Sequence, residues 1–218
     1  MNNGQRIKVV VVDDQNISRG FFEMYVRASA GFELAAGLRS AQQAMDYVDG
    51  HEVDLLILDV MMQEGIDGLT AARIIKEKHP EIKIILTTST SETGWEQEAK
   101  DAGIESFWYK EYDEISLTEI MERTVKGESI YPSEPPRVAF GRISRTDLTE
   151  REIEILRELT ASLTNEEIAE KLNISANTVK RHIQNMMEKT GFKSRIELAV
   201  NARAAGLVIS DSDRTGIL

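Results

Sequence analysis

Apolar and polar positions along this chain follow two different periods in turn. Ile7–Val12 and Val53–Leu58 are short, mostly apolar runs that end in Asp13-Asp14 and in Asp59. Ile82–Leu86 ends in Thr87-Thr88, Ile104–Tyr109 ends in Lys110, and Phe32–Gly37 is a weaker run of the same kind. Each is rich in Val, Ile and Leu, as strands buried on both faces are. Between and after them lie segments with helical spacing: Gln15–Ser29, Ser40–Asp49, Leu69–Lys78, Thr93–Ala102 and Ile115–Lys126. In the last, Ile115, Ile120, Met121 and Val125 share a face at the helical repeat. Strand and helix alternating five times predicts an α/β domain, a doubly wound five-stranded parallel sheet with helices on both faces.

The alternation stops at residues 128–146. Pro132, Pro135 and Pro136 fall there and no apolar period runs through, so a linker is expected. The strands do not resume. Thr149–Thr160, Thr164–Leu172, Ser175–Thr190 and Ser194–Ala205 all carry helical spacing. Thr149 with Glu152, Thr164 with Glu167 and Ser194 with Glu197 have the spacing of a capping box. The polar end from Ser210 is expected to be loose. The expected division is 1–127, a linker at 128–146, a four-helix all-α domain at 147–206 and a tail at 207–218.

Composition narrows the chemistry. The 218 residues are 41% hydrophobic, which suits a folded chain, and contain no cysteine. A disulfide scaffold, a thiol nucleophile and a thiolate metal site are thereby excluded. No apolar run reaches the ~18 residues of a membrane span, and no secretory signal precedes the first strand. A cytoplasmic protein without membrane contact is the expectation. The net charge of −11 is unevenly spread: −9 over residues 1–145 and −2 over 146–218. Within 171–203, seven basic residues face two acidic ones. Such segregation points to two modules with different partners.

Residues at the carboxyl ends of parallel strands gather on one edge of the sheet, where ligands bind. Asp13, Asp14, Asp59, Thr88 and Lys110 all fall at such ends. Any one of them suits a solvated loop equally well, but five together form a pattern. Three converging carboxylates repel unless a hard cation joins them, and all-oxygen ligation suits Mg²⁺. A lysine and a hydroxyl beside that cation are donors for an anion, most economically a phosphoryl group carried on one carboxylate. Spacing alone does not say which carboxylate is the nucleophile.

Residues 6–127 resemble the receiver domain of two-component response regulators, which has a flavodoxin-like fold. The resemblance rests on V-V-V-D-D at 10–14, L-I-L-D-V-M-M at 56–62, D-G-L at 67–69, I-I-L-T-T-S at 84–89, A-G at 102–103 and F-W-Y-K at 107–110. It implies Asp59 as phosphoacceptor and Mg²⁺ held by Asp14, Asp59 and the Met61 carbonyl, with Asp13 assisting directly or through water. It further implies Lys110 on the phosphoryl oxygens, Thr88 as the switch hydroxyl and Phe107 as its coupled aromatic; Thr87 is a rival for the switch. Three departures stand out. Residues 61–67 form a loop one residue longer than usual and lack its proline. Glu111 replaces the frequent proline after the lysine, so no cis peptide is expected there. Trp108 and Tyr109 are bulky; Tyr109 is expected to face the core, with Phe107 and Trp108 serving a surface.

Thr164–Leu172, a tight turn and Ala176–Thr190 read as helix-turn-helix. Ile168, Ala169 and Leu172 can pack on Ile174, Val179 and Ile183, which leaves a polar face. Cations, amides and a hydroxyl on one helix suit a major groove. L-T-E-R-E-I-E-I-L at 148–156, N-E-E-I-A-E-K-L at 165–172 and I-S-A-N-T-V-K-R-H-I at 174–183 resemble the LuxR-type helix-turn-helix. Together the two matches resemble the NarL/FixJ type of response regulator. That implies Ala176–Thr190 as recognition helix, with Asn177, Thr178, Lys180, Arg181, His182 and Gln184 as candidate contacts to double-stranded DNA. It also implies a sensor histidine kinase as partner and a homodimer when phosphorylated or DNA-bound, with Ser194–Ala205 as a dimer contact. The family usually has glycine where Ser162 stands, so that helix end is expected to differ in detail. The rivals are a Mg²⁺-dependent phosphohydrolase with an aspartyl-phosphate intermediate, and a receiver whose helices bind protein.

Overall fold

The computed structural model describes residues 6–62, 65–90, 95–110, 115–132 and 138–208. The chain divides into two units.

The first unit alternates β1 (Ile7–Val12), α1 (Asn16–Ala28), β2 (Phe32–Leu38), α2 (Ala41–Gly50), β3 (Leu55–Asp59), α3 (Gly68–Lys78), β4 (Lys83–Thr88), α4 (Trp95–Asp101), β5 (Ser106–Tyr109) and α5 (Leu117–Val125). The strands form one parallel sheet in the order β2-β1-β3-β4-β5. Val9–Val12 and Leu55–Leu58 are buried on both faces, which is why they read as apolar runs rather than alternating ones. Helix starts are set locally. Ser40, Asp67 and Ser116 each accept a backbone N–H at the head of α2, α3 and α5. The order reverses at β1 and β3, so the carboxyl ends of those strands open onto a crevice.

The residues after α5 correct part of the expected linker. Ile130 lies beside β5 in a parallel bridge to Ser106. The Phe107 amide donates to the Ile130 carbonyl (2.9 Å), and the Ile130 amide to the Glu105 carbonyl (3.2 Å). This extra cover explains a second correction. Phe107 and Trp108 are buried along with Tyr109 and serve no surface. Trp108 packs edge-on against Phe22 and donates its Nε1–H to the Ile115 carbonyl. Phe107 lies across from Tyr109 on the other side of the sheet from Trp108, as alternation along a strand requires. Glu111 and the Lys110–Glu111 peptide bond lie outside the described residues, as do Gln63 and Glu64 of the 61–67 loop, Pro135 and Pro136, and the end from residue 209.

The second unit holds α6 (Glu150–Thr160), α7 (Asn165–Lys171), α8 (Ala176–Thr190) and α9 (Arg195–Ala204), preceded by a hairpin of β6 (Ala139–Phe140) and β7 (Ile143–Ser144). Residues 138–146 therefore belong to this unit rather than to a linker. Val138 and Phe140 are buried with Ile153, Leu156, Val179, Ile183 and Met186. Gly141 turns the hairpin at φ +63, and a Cβ there would lie 2.2 Å from the Thr190 carbonyl oxygen. That close approach lets the Arg142 amide donate to the same carbonyl (2.9 Å) at the end of α8. Leu207 and Val208, expected in the tail, are buried in the same core.

Thr149/Glu152 and Thr164/Glu167 form complete capping boxes. Ser194 accepts from the Glu197 amide, but the Glu197 carboxylate reaches back one residue further, to the Lys193 amide. Ser162 takes the left-handed conformation, φ 65, just past the end of α6. The helix thus closes in a left-handed conformation that glycine adopts without cost, and here a serine bears the strain. Ser162→Gly should stabilise the protein by about 1 kcal/mol, measured by denaturant unfolding.

Candidate functional site

The sheet delivers its acids to one place. Asp13 follows β1, Asp59 ends β3, and Asp14 is half-buried next to Asp13. One carboxylate oxygen from each lies within 4.8 Å of the others. Asp13 and Asp59 are almost wholly buried. Lys110 follows β5 and extends its ammonium between them, 2.7 Å from Asp13 Oδ2 and 3.1 Å from Asp59 Oδ2. Thr88, buried at the end of β4, is tied to the lysine through the Lys110 amide, which donates to the Thr88 carbonyl (2.9 Å). Thr87 is the register neighbour of Asp59, and its buried hydroxyl has no hydrogen-bond partner among the described residues. Met61 lies two residues past the end of β3 and is half-buried. Phe107 sits fully inside, three residues before Lys110.

Helix α1 braces the site. The Gln15 amide donates to Asp13 Oδ1 (2.8 Å), the Ser18 hydroxyl donates to Asp13 Oδ2, and Arg19 Nη1 donates to the Asp13 carbonyl (2.8 Å). On the other side, α3 begins hard against β3. A Cβ on Gly68 would lie 1.9 Å from the Asp59 carbonyl oxygen, so only glycine lets the Gly68 amide donate to the Val60 carbonyl at 2.9 Å.

Burial pushes the Asp59 carboxyl up to about 7; the nearby charges of Asp13 and Asp14 push the same way, and Lys110 opposes them. Three carboxylates against one ammonium leave the pocket short of positive charge. Asp59 Oδ1 is buried and accepts no hydrogen bond from the described residues. An all-oxygen donor set, excess negative charge and an uncommitted oxygen fit a hard divalent cation.

The second unit offers a different surface. Ile168 and Ala169 of α7 pack with Val179 and Ile183 of α8, with the turn at Asn173 in left-handed conformation between them. Asn177, Lys180, Arg181 and Gln184 are exposed on α8, and Thr178 and His182 are half-buried. Thr178 shares its hydroxyl with Ser175 (2.8 Å), and Gln184 donates to Glu188 (2.9 Å). On α9, Ile196 and Val200 stand in solvent one turn apart.

Two family models match the chain. Residues 9–122 match the response regulator receiver domain, and residues 146–202 match the bacterial regulatory proteins of the luxR family. The chain is 30% identical over 207 residues to the response regulator protein VraR of Staphylococcus aureus strain Mu3, covering 93% of this chain and 99% of the relative. The chain belongs to the response regulators with a LuxR-type DNA-binding domain. Its fold is shared with solved structures of RcsB. One, from Salmonella enterica serovar Typhimurium bound to promoter P1flhDC with phosphomimetic BeF3−, has a TM-score of 0.60 at 22% identity and covers 93% of this chain and 99% of that one. Another, two RcsB dimers bound to two parallel DNAs, has a TM-score of 0.61 at 22% identity, over 92% and 99%.

This response regulator is therefore a DNA-binding transcriptional regulator, from a family that is not one of metabolic enzymes, and the phosphohydrolase reading falls. No helix among the described residues is long and apolar enough to cross a membrane. Sequence reasoning missed Ser18 and Arg19, and noted Gly68 only within D-G-L at 67–69, without a role. Ser18 and Arg19 lie one turn into α1, at the spacing from Asp13 that faces a helix back onto its preceding strand. Asp-Gly at 67–68, a cap before the first helical residue, was the signal for the third.

Proposed function

We propose that this response regulator is switched by phosphorylation of Asp59, with a sensor histidine kinase or a small acyl phosphate as donor. A carboxylate oxygen of Asp59 attacks phosphorus, an acyl phosphate forms, and the bond to the donor's leaving group breaks. The observation that carries this reading is a buried, half-uncommitted carboxylate with an ammonium at 3.1 Å and two further acids around it. Asp14, Asp59 and the Met61 carbonyl, with Asp13 assisting, would hold Mg²⁺, which would supply positive charge beside the acceptor carboxylate. Lys110 is already placed to receive a phosphoryl oxygen. Thr88 is the switch hydroxyl because its backbone is bonded to Lys110, and Phe107 is the aromatic that moves with it.

The output is binding of duplex DNA by α8. Asn177, Thr178, Lys180, Arg181, His182 and Gln184 are the contacts: cations for phosphate or guanine, amides for adenine. The regulator acts as a homodimer in the cytoplasm, with Ile196 and Val200 of α9 in the contact, and reads half-sites about 10 base pairs apart. The working division is a receiver at 1–127, a connection from residue 128, and a DNA-binding domain in which the 138–146 segment and Leu207-Val208 join the helices of 147–206. The kinase has an apolar landing near the pocket, where Ile17, Phe21 and Met24 of α1 are exposed along one face.

DNA-site selection with and without a small acyl phosphate tests the whole reading. A single enriched sequence that strengthens with the donor, and does not in Asp59→Asn, is expected. Equal enrichment in all arms overturns the switch.

A further inference from the structure

Lys110 donates hydrogen bonds to two oxygens and pairs by charge with a third. Its Nζ lies 2.7 Å from Asp13 Oδ2, 3.1 Å from Asp59 Oδ2 and 3.1 Å from the Ser18 hydroxyl. Two donated hydrogen bonds and the ion pair hold the ammonium against Asp59 and leave a third N–H for an incoming oxygen. The Phe22 ring, one turn beyond Ser18, covers it at 5.5 Å. Ser18 is also a donor, and its own hydrogen goes to Asp13 Oδ2. One hydroxyl thus closes a triangle: Ser18 to Asp13, Lys110 to Asp13, Lys110 to Ser18. The pattern V-V-V-D-D does not include this residue, and nothing in the acid-pocket motifs requires a hydroxyl five positions after Asp13.

We infer that Ser18 is a positioning residue for the phosphoacceptor site, holding Lys110 toward Asp59 while keeping Asp13 from binding the cation directly. The inference rests on Asp59 being the acceptor. Two consequences follow from the triangle, and they have opposite signs. Asp13 Oδ2 takes two donors and Oδ1 takes the Gln15 amide, so little of this carboxylate is left for a cation. Removing the hydroxyl frees an oxygen lone pair and tightens cation binding. The same removal leaves one N–H of Lys110 without its acceptor. The ammonium then moves between Asp13 and Asp59, and a donor fixed for the transferring phosphoryl oxygens is lost.

The test uses full-length protein. Isothermal titration with Mg²⁺ alone reads cation affinity, and the initial rate of labelling by acetyl phosphate at saturating Mg²⁺ reads reactivity. Ser18→Ala should bind Mg²⁺ about fivefold more tightly and label about fivefold more slowly, the size of one hydrogen bond in each direction. Ser18→Thr, which keeps the hydroxyl, should restore both to within about twofold. General loosening of the pocket would weaken both readouts together, and that result overturns the inference. Unchanged values in Ser18→Ala, or failure of Ser18→Thr to restore them, overturn it as well. Peptide mapping separates this failure from failure of the reading beneath it. Label on Asp59 with a silent Ser18→Ala refutes only the role of Ser18, whereas label on another residue refutes the acceptor.

Discussion

Asp59→Asn abolishes labelling by acyl phosphate and, without divalent cation, makes the protein more stable. The first effect follows from loss of the nucleophilic oxygen. The second follows from burial. The folded carboxyl titrates at about 7 against an ordinary value of 3.8, with desolvation as the main cause. Between those values the folded state binds more protons than the unfolded one, so stability falls as pH rises through that window. The loss is complete above about pH 7 and amounts to at most about 4 kcal/mol, about three pH units at 1.36 kcal/mol each. Asparagine carries no such charge and should flatten the slope. Thermal melting between pH 4 and 8 in chelator checks this: the wild type loses stability across the range, and the variant does not. Added Mg²⁺ should raise the wild-type melting temperature at neutral pH and leave the variant little changed. A variant less stable than wild type at pH 8 would show that Asp59 is a structural partner of Lys110 rather than a group held under electrostatic load.

Paired replacement of Lys180 and Arg181 by alanine has the second large effect. Both side chains are exposed on α8, while the core below is made by Val179, Ile183 and Met186, so folding is spared. If the two cations neutralise two phosphates, the slope of log affinity against log salt becomes shallower by about 2, and affinity at moderate salt falls about 10- to 100-fold. Fluorescence anisotropy on a selected duplex at several salt concentrations measures both. If one of the pair reads guanine instead, the slope changes by about 1 and one position of the site loses its preference. An unchanged slope would place the DNA elsewhere on the protein.

Much of this was legible because buried parallel strands and capped helices leave strong local marks. Ile7–Val12 was expected and found at the same residues, since every position from Val9 on faces protein. Asp13, Asp59, Thr88 and Lys110 were legible as residues at strand ends because those ends converge in this topology. The missing parts depend on contacts distant in sequence. The hairpin at 139–144 consists of two-residue strands, too short to show a period, and its place is decided by the end of α8. Ile130 joins the sheet through backbone bonds, which carry no side-chain signature. Ser18 matters through Lys110, 92 residues away, and looks in sequence like any polar residue in a first turn.

The short pairing at Ile130 gives the segment that leaves the first unit a fixed mooring. Its amide and carbonyl are fastened to Glu105 and Phe107, on the strand that leads to Lys110. If phosphorylation of Asp59 shifts that strand, these two bonds carry the shift to the start of the connecting segment. The same fastening occupies part of the outer rim of β5, the stretch from Glu105 to Phe107, and leaves less of that edge open to a foreign strand.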